Sequence, residues 1–502
     1  VSSRRAPIDL GPEEFRRLGH RLVDQIAEML DSLPRHPVTP GESADQVRAA
    51  LGRGGLPEEG TSPDRILEEA FTLLRDHSLF NGHPRFWGYI TASPAPIGIL
   101  AEMLAAAVNP NVGAWDLSPM ASEIEAQSIG WIAELIGFPG NSGGILVSGG
   151  NMANIVAFLA ARTHQAGTTI RDEGLRAKPD LVTYVSKDGH TWIQKAADMC
   201  GLGTRSIRWV DVDRERRMKP DALARMIEED VAAGLTPFLV TGTAGTVAVG
   251  AVDPLAAIGR ICRERGLWFH VDGAYGAPAA CLPDASADLK ALAGADSVAL
   301  DPHKWLYSPL EAGCTLIRDP ERLQAAFDFH PSYYAFRKQE GDPPINYLNL
   351  GPQNSRGFRA LKVWAALRMV GAQGYRKMIA DDIELARVLH EAAAAHPELE
   401  AWTLSLSIST FRYVPEDLRG NIEGRSHAET GPYLDALNRE ILSRLQAGGE
   451  AFVSTAVIDG RFLLRACIVN FRTSQEDVGA LPEIVVRLGR SVDAELRPAA
   501  LR

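Results

Sequence analysis

Between residues 12 and 30 an apolar side chain returns every three or four positions. Phe15, Leu18, Leu22, Ile26 and Leu30 share one stripe and Pro12 suits a first turn, so the segment predicts an amphipathic helix. The stretch "RHPVTPGES" that follows is rich in proline and glycine and predicts an extended connection. A second striped helix is predicted from about Pro63 to Leu79. Residues 1–84 thus form a helical arm that cannot bury its own stripes. It must pack on the main body or on another subunit.

From 85 to 375 the pattern alternates short apolar runs with helical stretches. The runs are "ILVS" (145–148), "LVTYVS" (181–186), "FLVTGTA" (238–244), "LWFHVD" (267–272), "SVAL" (297–300) and "CTLI" (314–317). Between two of them, "VDPLAAIGRICRERG" offers Asp253 as a cap, Pro254 at a first helical position and Gly266 as a stop. This strand–helix–strand grammar predicts an α/β domain with a mainly parallel sheet covered by helices. Residues 376–502 change character. "SLSISTFRYV", a helix near Tyr433 to Leu445, "AFVSTAVIDGRFLLRACIVN" and a last helix predict a small α+β domain.

Composition narrows the class. A chain of 502 residues is too long for one core, and 45% apolar with 23% charged residues is ordinary for a soluble protein. A net charge of −11 argues against nucleic acid or an anionic membrane as main partner. The five cysteines are scattered with no paired spacing, which fits a reducing cytosol and gives no zinc signal. The run from Ile97 to Val108 is too short to span a bilayer, and "VSSRRAPIDLGPEEF" has no apolar core of a secretory signal. A soluble cytoplasmic protein without bound metal is expected.

In open α/β sheets ligands bind beyond the carboxyl ends of the strands. The polar residues just past those ends are Ser148 to Asn151, His190, Thr243 to Thr246, Asp272, His303 and Lys304. "LVSGGNMANIVAFLAAR" reads as strand, Gly-Gly turn and helix, which points backbone N–H groups at an anion such as a phosphate, although plain turn chemistry gives the same pattern. Asp272 ends a strand among small residues; it caps or pairs structurally, or it faces a ring nitrogen that must stay protonated. His190 is a surface or capping residue, or lies flat on a planar cofactor. Lys304 either snorkels to solvent or forms a Schiff base, its amine tuned by burial and neighbouring cations. Together a phosphate cradle, a stacking ring, an acid and an amine are what pyridoxal 5'-phosphate requires.

"HVDGAYG" followed by "DPHKW", with "SGGNMANIVAFLAAR", "TAGTVAVGAVDP", "GHPRFWGYITASPAP" and "RACIVNFRT", closely resembles the pyridoxal-phosphate-dependent group II amino-acid decarboxylases. The resemblance runs from about residue 10 to 495. It implies the type I fold of aspartate aminotransferase, a seven-stranded sheet in the large domain, and a homodimer with the helical arm wrapped over the partner. It makes Lys304 the lysine that carries the cofactor, Asp272 the partner of the ring nitrogen, and His190 the residue stacked on the ring. Gly149, Gly150 and Asn151 resemble the phosphate cradle, His303 reaches the phosphate region, Ala274 packs near the ring and Thr246 lies beneath it. Val247 departs from the pattern, standing where some aromatic decarboxylases carry a further threonine.

The long segment from Pro331 to Ser355 reads as a functional lid. The spacing of Tyr347 before Phe358 resembles that of the family's mobile-loop tyrosine, which returns a proton to the substrate carbon, often in the neighbouring subunit; Tyr333 and Tyr334 are weaker candidates, and a loop aromatic docked on the surface is the plain alternative. The same analogy sets Trp87, Tyr89, Ile90 and Trp115 along the substrate side chain. That wall, with Phe86, is aromatic and apolar and has only Arg85 as a local cation. The expected reaction is decarboxylation of an aromatic L-amino acid to the amine and CO2. Alternatives are oxidative decarboxylation-deamination to an aromatic aldehyde, whose catalysts tend to lose the loop tyrosine or the histidine, and decarboxylation of an acidic amino acid.

Overall fold

All six apolar runs become strands of one sheet, and a seventh joins at its edge. The computed structural model describes residues 6–178, 180–329, 344–419 and 427–501. After a two-residue strand β1 (Phe86–Trp87) come β2 (Gly143–Val147), β3 (Leu181–Ser186), β4 (Ile207–Val210), β5 (Thr236–Thr243), β6 (Trp268–Asp272), β7 (Ser297–Leu300) and β8 (Gly313–Ile317). Strands β2 to β8 form a seven-stranded sheet in the order β2-β8-β7-β6-β5-β3-β4, with β8 antiparallel to both neighbours and the other pairings parallel. Strands buried on both faces are mostly apolar, which is why they read as runs. Edge strand β4 keeps Arg208 and Trp209 half-buried, so it gave no such run.

The linking helix spans Leu255–Arg265 and ends at Gly266 in the left-handed region, as expected. Asp253 does not cap it. Its buried carboxylate instead accepts the backbone N–H groups of Met218 and Thr243, and burial pushes its pKa up to about 7. It ties β5 to the turn before the helix Pro220–Ala232.

The arm contains helices Pro12–Ser32, Ala44–Leu51 and Pro63–His77; the short middle one, closed by a Ser43–Gln46 capping box, was not anticipated. Arg17 and Arg21 both pair with Asp64 and hold the outer helices together. Only Leu18 of the first helix and no residue of the third is buried, so the stripes stay largely open on this chain.

Strands β9 (Leu399–Ser405), β10 (Ile408–Tyr413), β11 (Phe452–Ile458) and β12 (Arg461–Cys467) build a second sheet in the order β1-β11-β12-β10-β9. Two domain limits shift accordingly. β1 pairs in parallel with β11, so Phe86 and Trp87 belong to the C-terminal sheet rather than to a large domain starting at 85. The long helix Ala360–Ala395 breaks at Gly371 (φ 65°, ψ 167°), a conformation that suits glycine, so the change of direction comes before 375. Beyond the break Asp382 is buried. It accepts the Trp305 Nε1 hydrogen at 2.7 Å and the Tyr307 hydroxyl, and burial raises its pKa to about 7. The segment after Lys304 is thereby fastened to the C-terminal domain.

Candidate active site

At the carboxyl end of β2 the chain turns through Gly149 (φ 128°, ψ 174°) into the helix Gly150–Ala166, whose first turn has no side-chain cap. Glycine is required three times here. Only glycine adopts that φ readily; a Cβ on Gly150 would lie 2.6 Å from Asp301 Oδ2; and one on Gly313 of β8 would lie 2.4 Å from the Gly149 carbonyl carbon. The result is a helix entry without a side-chain cap, whose first backbone N–H groups are of the kind that receive a phosphate. Asn151 is exposed on its first turn.

Asp272, at the end of β6, is buried and held by three donors. Trp192 Nε1 donates to Oδ2 at 2.8 Å, while the Ala274 N–H at 3.2 Å and Asn154 Nδ2 at 3.4 Å reach Oδ1. Behind it the hydrogens are determined. The Asn154 carbonyl oxygen accepts from His270 Nε2 at 2.7 Å, which leaves Nδ1 to accept from the Ser297 hydroxyl at 2.8 Å; Ser297 accepts in turn from Trp268 Nε1 at 2.9 Å. Burial lowers the His270 pKa to about 4, so the ring is neutral as this chain of bonds requires. The three donors to Asp272 fix the position of its carboxylate.

Lys304 follows β7, its Nζ 2.9 Å from Asp301 Oδ2, and His303 Nε2 is 3.7 Å from the same oxygen. His303 Nδ1 is engaged by the Ala312 backbone, and burial lowers its pKa. His190 is exposed to the cleft, and its Nδ1 accepts the Trp192 N–H at 3.2 Å, which puts the proton of the neutral ring on Nε2. The protein mass around the ring lowers its pKa, Asp272 opposes and Lys304 assists, so the three groups share one space. Ala274 lies beside Gly150, and Thr246 is buried with Oγ1 accepting the Ala251 N–H.

Two expected residues are elsewhere. Tyr347 is not at an open loop tip. It lies in the turn Tyr347–Asn349, 1% exposed, under the Arg356 guanidinium at 4.7 Å. Arg356 is itself locked in a buried pair with Glu125 at 2.5 Å, and burial beside Glu125 holds the Tyr347 phenol well above its usual range. Trp87 is 0% exposed, inside the C-terminal core, and its Nε1 donates to Thr473, so it lines no cleft. Tyr89 is 58% exposed and Ile90 partly buried, whereas Trp115 bonds Glu123 beside exposed Leu117 and Met120. Tyr333 and Tyr334 lie outside the described residues.

Asp301, Asn154, His270, Trp192 and Gly313 were missed. Simple spacing could have flagged three: His270 shares a strand face with Asp272, Asn154 sits one helical turn after Gly150, and Asp301 precedes Lys304 by three.

An amine, an anchored carboxylate and an open anion cradle beside an exposed imidazole fit pyridoxal 5'-phosphate, and the mainly parallel seven-stranded sheet is that expected of the type I fold. Residues 49–410 match the model of the pyridoxal-dependent decarboxylase conserved domain. An aromatic-L-amino-acid decarboxylase of Bacillus atrophaeus is 32% identical over 472 residues, 94% of each chain. A phenylacetaldehyde synthase of Arabidopsis thaliana is 28% identical over 93% of this chain and 94% of its own. The structure of Catharanthus roseus tryptophan decarboxylase in complex with L-tryptophan superposes with a TM-score of 0.86 at 26% identity, covering 97% of this chain and 100% of that one. The chain belongs to the pyridoxal-dependent decarboxylase family. It is an amino-acid carboxy-lyase with pyridoxal 5'-phosphate as cofactor.

Proposed function

We propose that this enzyme decarboxylates an aromatic L-amino acid to its amine. The observation that carries the reading is the convergence at Gly150 of Lys304, through Asp301, and of Asp272, through Ala274, with Trp192 bonded to both Asp272 and His190. The similarity to an aromatic-L-amino-acid decarboxylase supports the substrate class. Bound pyridoxal phosphate supplies an electron sink for the pair left when CO2 departs. Lys304 would hold the cofactor through its Nζ, the amine that the site places beside the Gly149–Gly150 turn. The Asp272 carboxylate would hold the cofactor's ring nitrogen and keep it protonated. His190 covers the open side and carries a proton at Nε2 toward the cleft. Gly149, Gly150 and the exposed Asn151 would receive the phosphate, with His303 beside Gly149 and Thr246 proposed beneath the ring.

The test is a product assay with tyrosine, tryptophan, phenylalanine, dihydroxyphenylalanine, histidine and glutamate offered separately. Amine from an aromatic substrate without peroxide is the expected result; amine from glutamate alone would overturn the substrate class. A second reading, aldehyde formation, is supported by the similarity to a phenylacetaldehyde synthase, and aldehyde with peroxide would establish it. Tyr347→Phe is expected to keep kcat within about threefold, against the ~10²–10⁴-fold loss typical of a removed proton donor. Measured kcat and the amine-to-aldehyde ratio check this, and a large loss would return Tyr347 to the reaction.

The enzyme is further proposed to be a cytoplasmic homodimer. Leu100, Met103, Leu104 and Val108 project from one face of the helix Pro96–Val108, each about half exposed or more. That helix packs by Gly98 on Pro309, close after Lys304, so a partner covering it would border the site. Among the described residues no helix is long and apolar enough to cross a membrane. Leu104→Arg is expected to yield monomer in sedimentation; an unchanged dimer would place the interface elsewhere.

A further inference from the structure

Between β4 and the helix Pro220–Ala232 the chain makes a small hairpin that the reaction set out above does not use. Val212 and Met218 pair across it, and the Lys219 N–H bonds the Asp211 carbonyl. At its tip the Arg216 N–H bonds the Asp213 carbonyl and the Asp213 N–H bonds the Arg217 carbonyl. A loop bonded in this way closes on a residue in the left-handed region, a position that favours glycine. Here that residue is Arg216, at φ 65°. A long side chain kept in an unfavourable backbone conformation points to a task for that side chain.

The contacts show the task. Arg216 Nε and Nη2 donate to the two carboxylate oxygens of Asp188 at 2.7 and 2.6 Å, a forked pair whose Asp188 side chain is 9% exposed. Nη1 also reaches Asp459 at 3.0 Å, but that carboxylate is 71% exposed and water weakens the pair. Asp188 lies in the turn that carries His190. The turn is folded closely on the end of β3. The Gly189 N–H bonds the Ser186 carbonyl, the Lys187 N–H bonds the Val210 carbonyl of β4, and a Cβ on Gly189 would lie 2.4 Å from Val185 Cγ2. The hairpin is anchored on its other strand as well. The Met218 N–H bonds Asp253, whose second oxygen accepts the Thr243 N–H, and Thr243 pairs with Asp272 across β5 and β6. One hairpin thus joins the turn that presents His190 to the strand ends that present Asp272 and Thr246.

We propose that Arg216 is a positioning residue for the cofactor site, its clamp on Asp188 setting where the His190 ring stands relative to Asp272. The proposal rests on the reading of His190 as the residue that covers the cofactor. Arg216 touches neither cofactor nor substrate. It acts through the turn, so its effect requires both Asp188 and His190.

The test uses full-length enzyme loaded with pyridoxal 5'-phosphate, the loaded sites being counted from the borohydride-reduced Lys304 peptide. Arg216→Gly, Asp188→Asn and the double variant are compared with wild type, with His190→Ala, and with His190→Ala carrying either change. Glycine suits the left-handed position, so Arg216→Gly removes the clamp and leaves the hairpin unstrained; Asp188→Asn removes it from the other side. In each single variant kcat per loaded site is expected to fall about 10- to 10²-fold, the scale for a misplaced group, and no further in the double variant. KM is expected to stay within about threefold. The visible circular dichroism of the bound cofactor is expected to change alike in Arg216→Gly, Asp188→Asn and the double variant, and neither change is expected to add to the kcat or dichroism of His190→Ala. Wild-type kcat and dichroism in the single variants overturn the proposal. So do losses that add in the double variant, or losses that persist in full without His190. If one single variant does not fold, the other decides in the wild-type and His190→Ala backgrounds. A His190→Ala enzyme with the dichroism of wild type would instead overturn the reading of His190 on which the proposal rests.

Discussion

Lys304→Ala is expected to abolish turnover, a loss of at least on the order of 10³-fold, and to remove the absorbance of lysine-bound cofactor. Among the described residues no neighbouring amine pairs at that position. Asp301 and His303 are the groups within 4 Å of one another at that position, and neither is an amine that could bind a carbonyl carbon. The substitution also leaves the buried Asp301 without its cation, which costs about 1–3 kcal/mol in folding stability. A lowered melting temperature should therefore accompany the lost absorbance. Spectra, thermal unfolding and turnover measured on one preparation separate the effects. A variant that is colourless but active would remove Lys304 from the reaction, whereas one that is merely unfolded would show no cooperative transition.

Asp272→Asn carries the second large effect. An amide cannot neutralise a protonated ring nitrogen, so kcat is expected to fall by about 10²–10³-fold, the scale for losing one preorganised electrostatic partner. The change is also poorly tolerated by its surroundings. Trp192 Nε1, the Ala274 N–H and Asn154 Nδ2 are all donors, and an amide –NH2 turned toward any of them sets donor against donor. The Asn154 side chain cannot rotate to help, because its carbonyl oxygen is committed to His270 and its amide also bonds the Gly150 carbonyl. The absorbance of bound cofactor and kcat check the prediction, and activity within tenfold of wild type would show that Asp272 does not hold the ring proton.

The six runs were legible because strands buried on both faces are mostly apolar, with their few polar residues paired inside. Lys304 and Asp272 were legible because each ends such a run in an unexpected charge. Three-dimensional pairing hid the rest. The bonds from Trp268 through Ser297 and His270 to Asn154 join three elements whose adjacency follows from sheet order and helix rotation, neither of which a linear pattern records. Tyr347 was misplaced for a related reason. Its distance along the chain from Phe358 says nothing of Arg356 turning inward to meet Glu125, and that pair closes over the ring. Trp87 sits in an apolar segment that fits a cleft wall equally well, and only its pairing with β11 assigns it to the other core.

The fastening of Trp305 and Tyr307 to Asp382 has a consequence for recombining relatives. The residue after the cofactor lysine is anchored in a helix that the C-terminal third of the chain supplies. Exchanging C-terminal domains at a junction before 382 would bring in a foreign residue at the anchor. Such hybrids would need the acid, the indole and the phenol inherited as one unit, so the practical seam for grafting lies after the helix ends at Ala395.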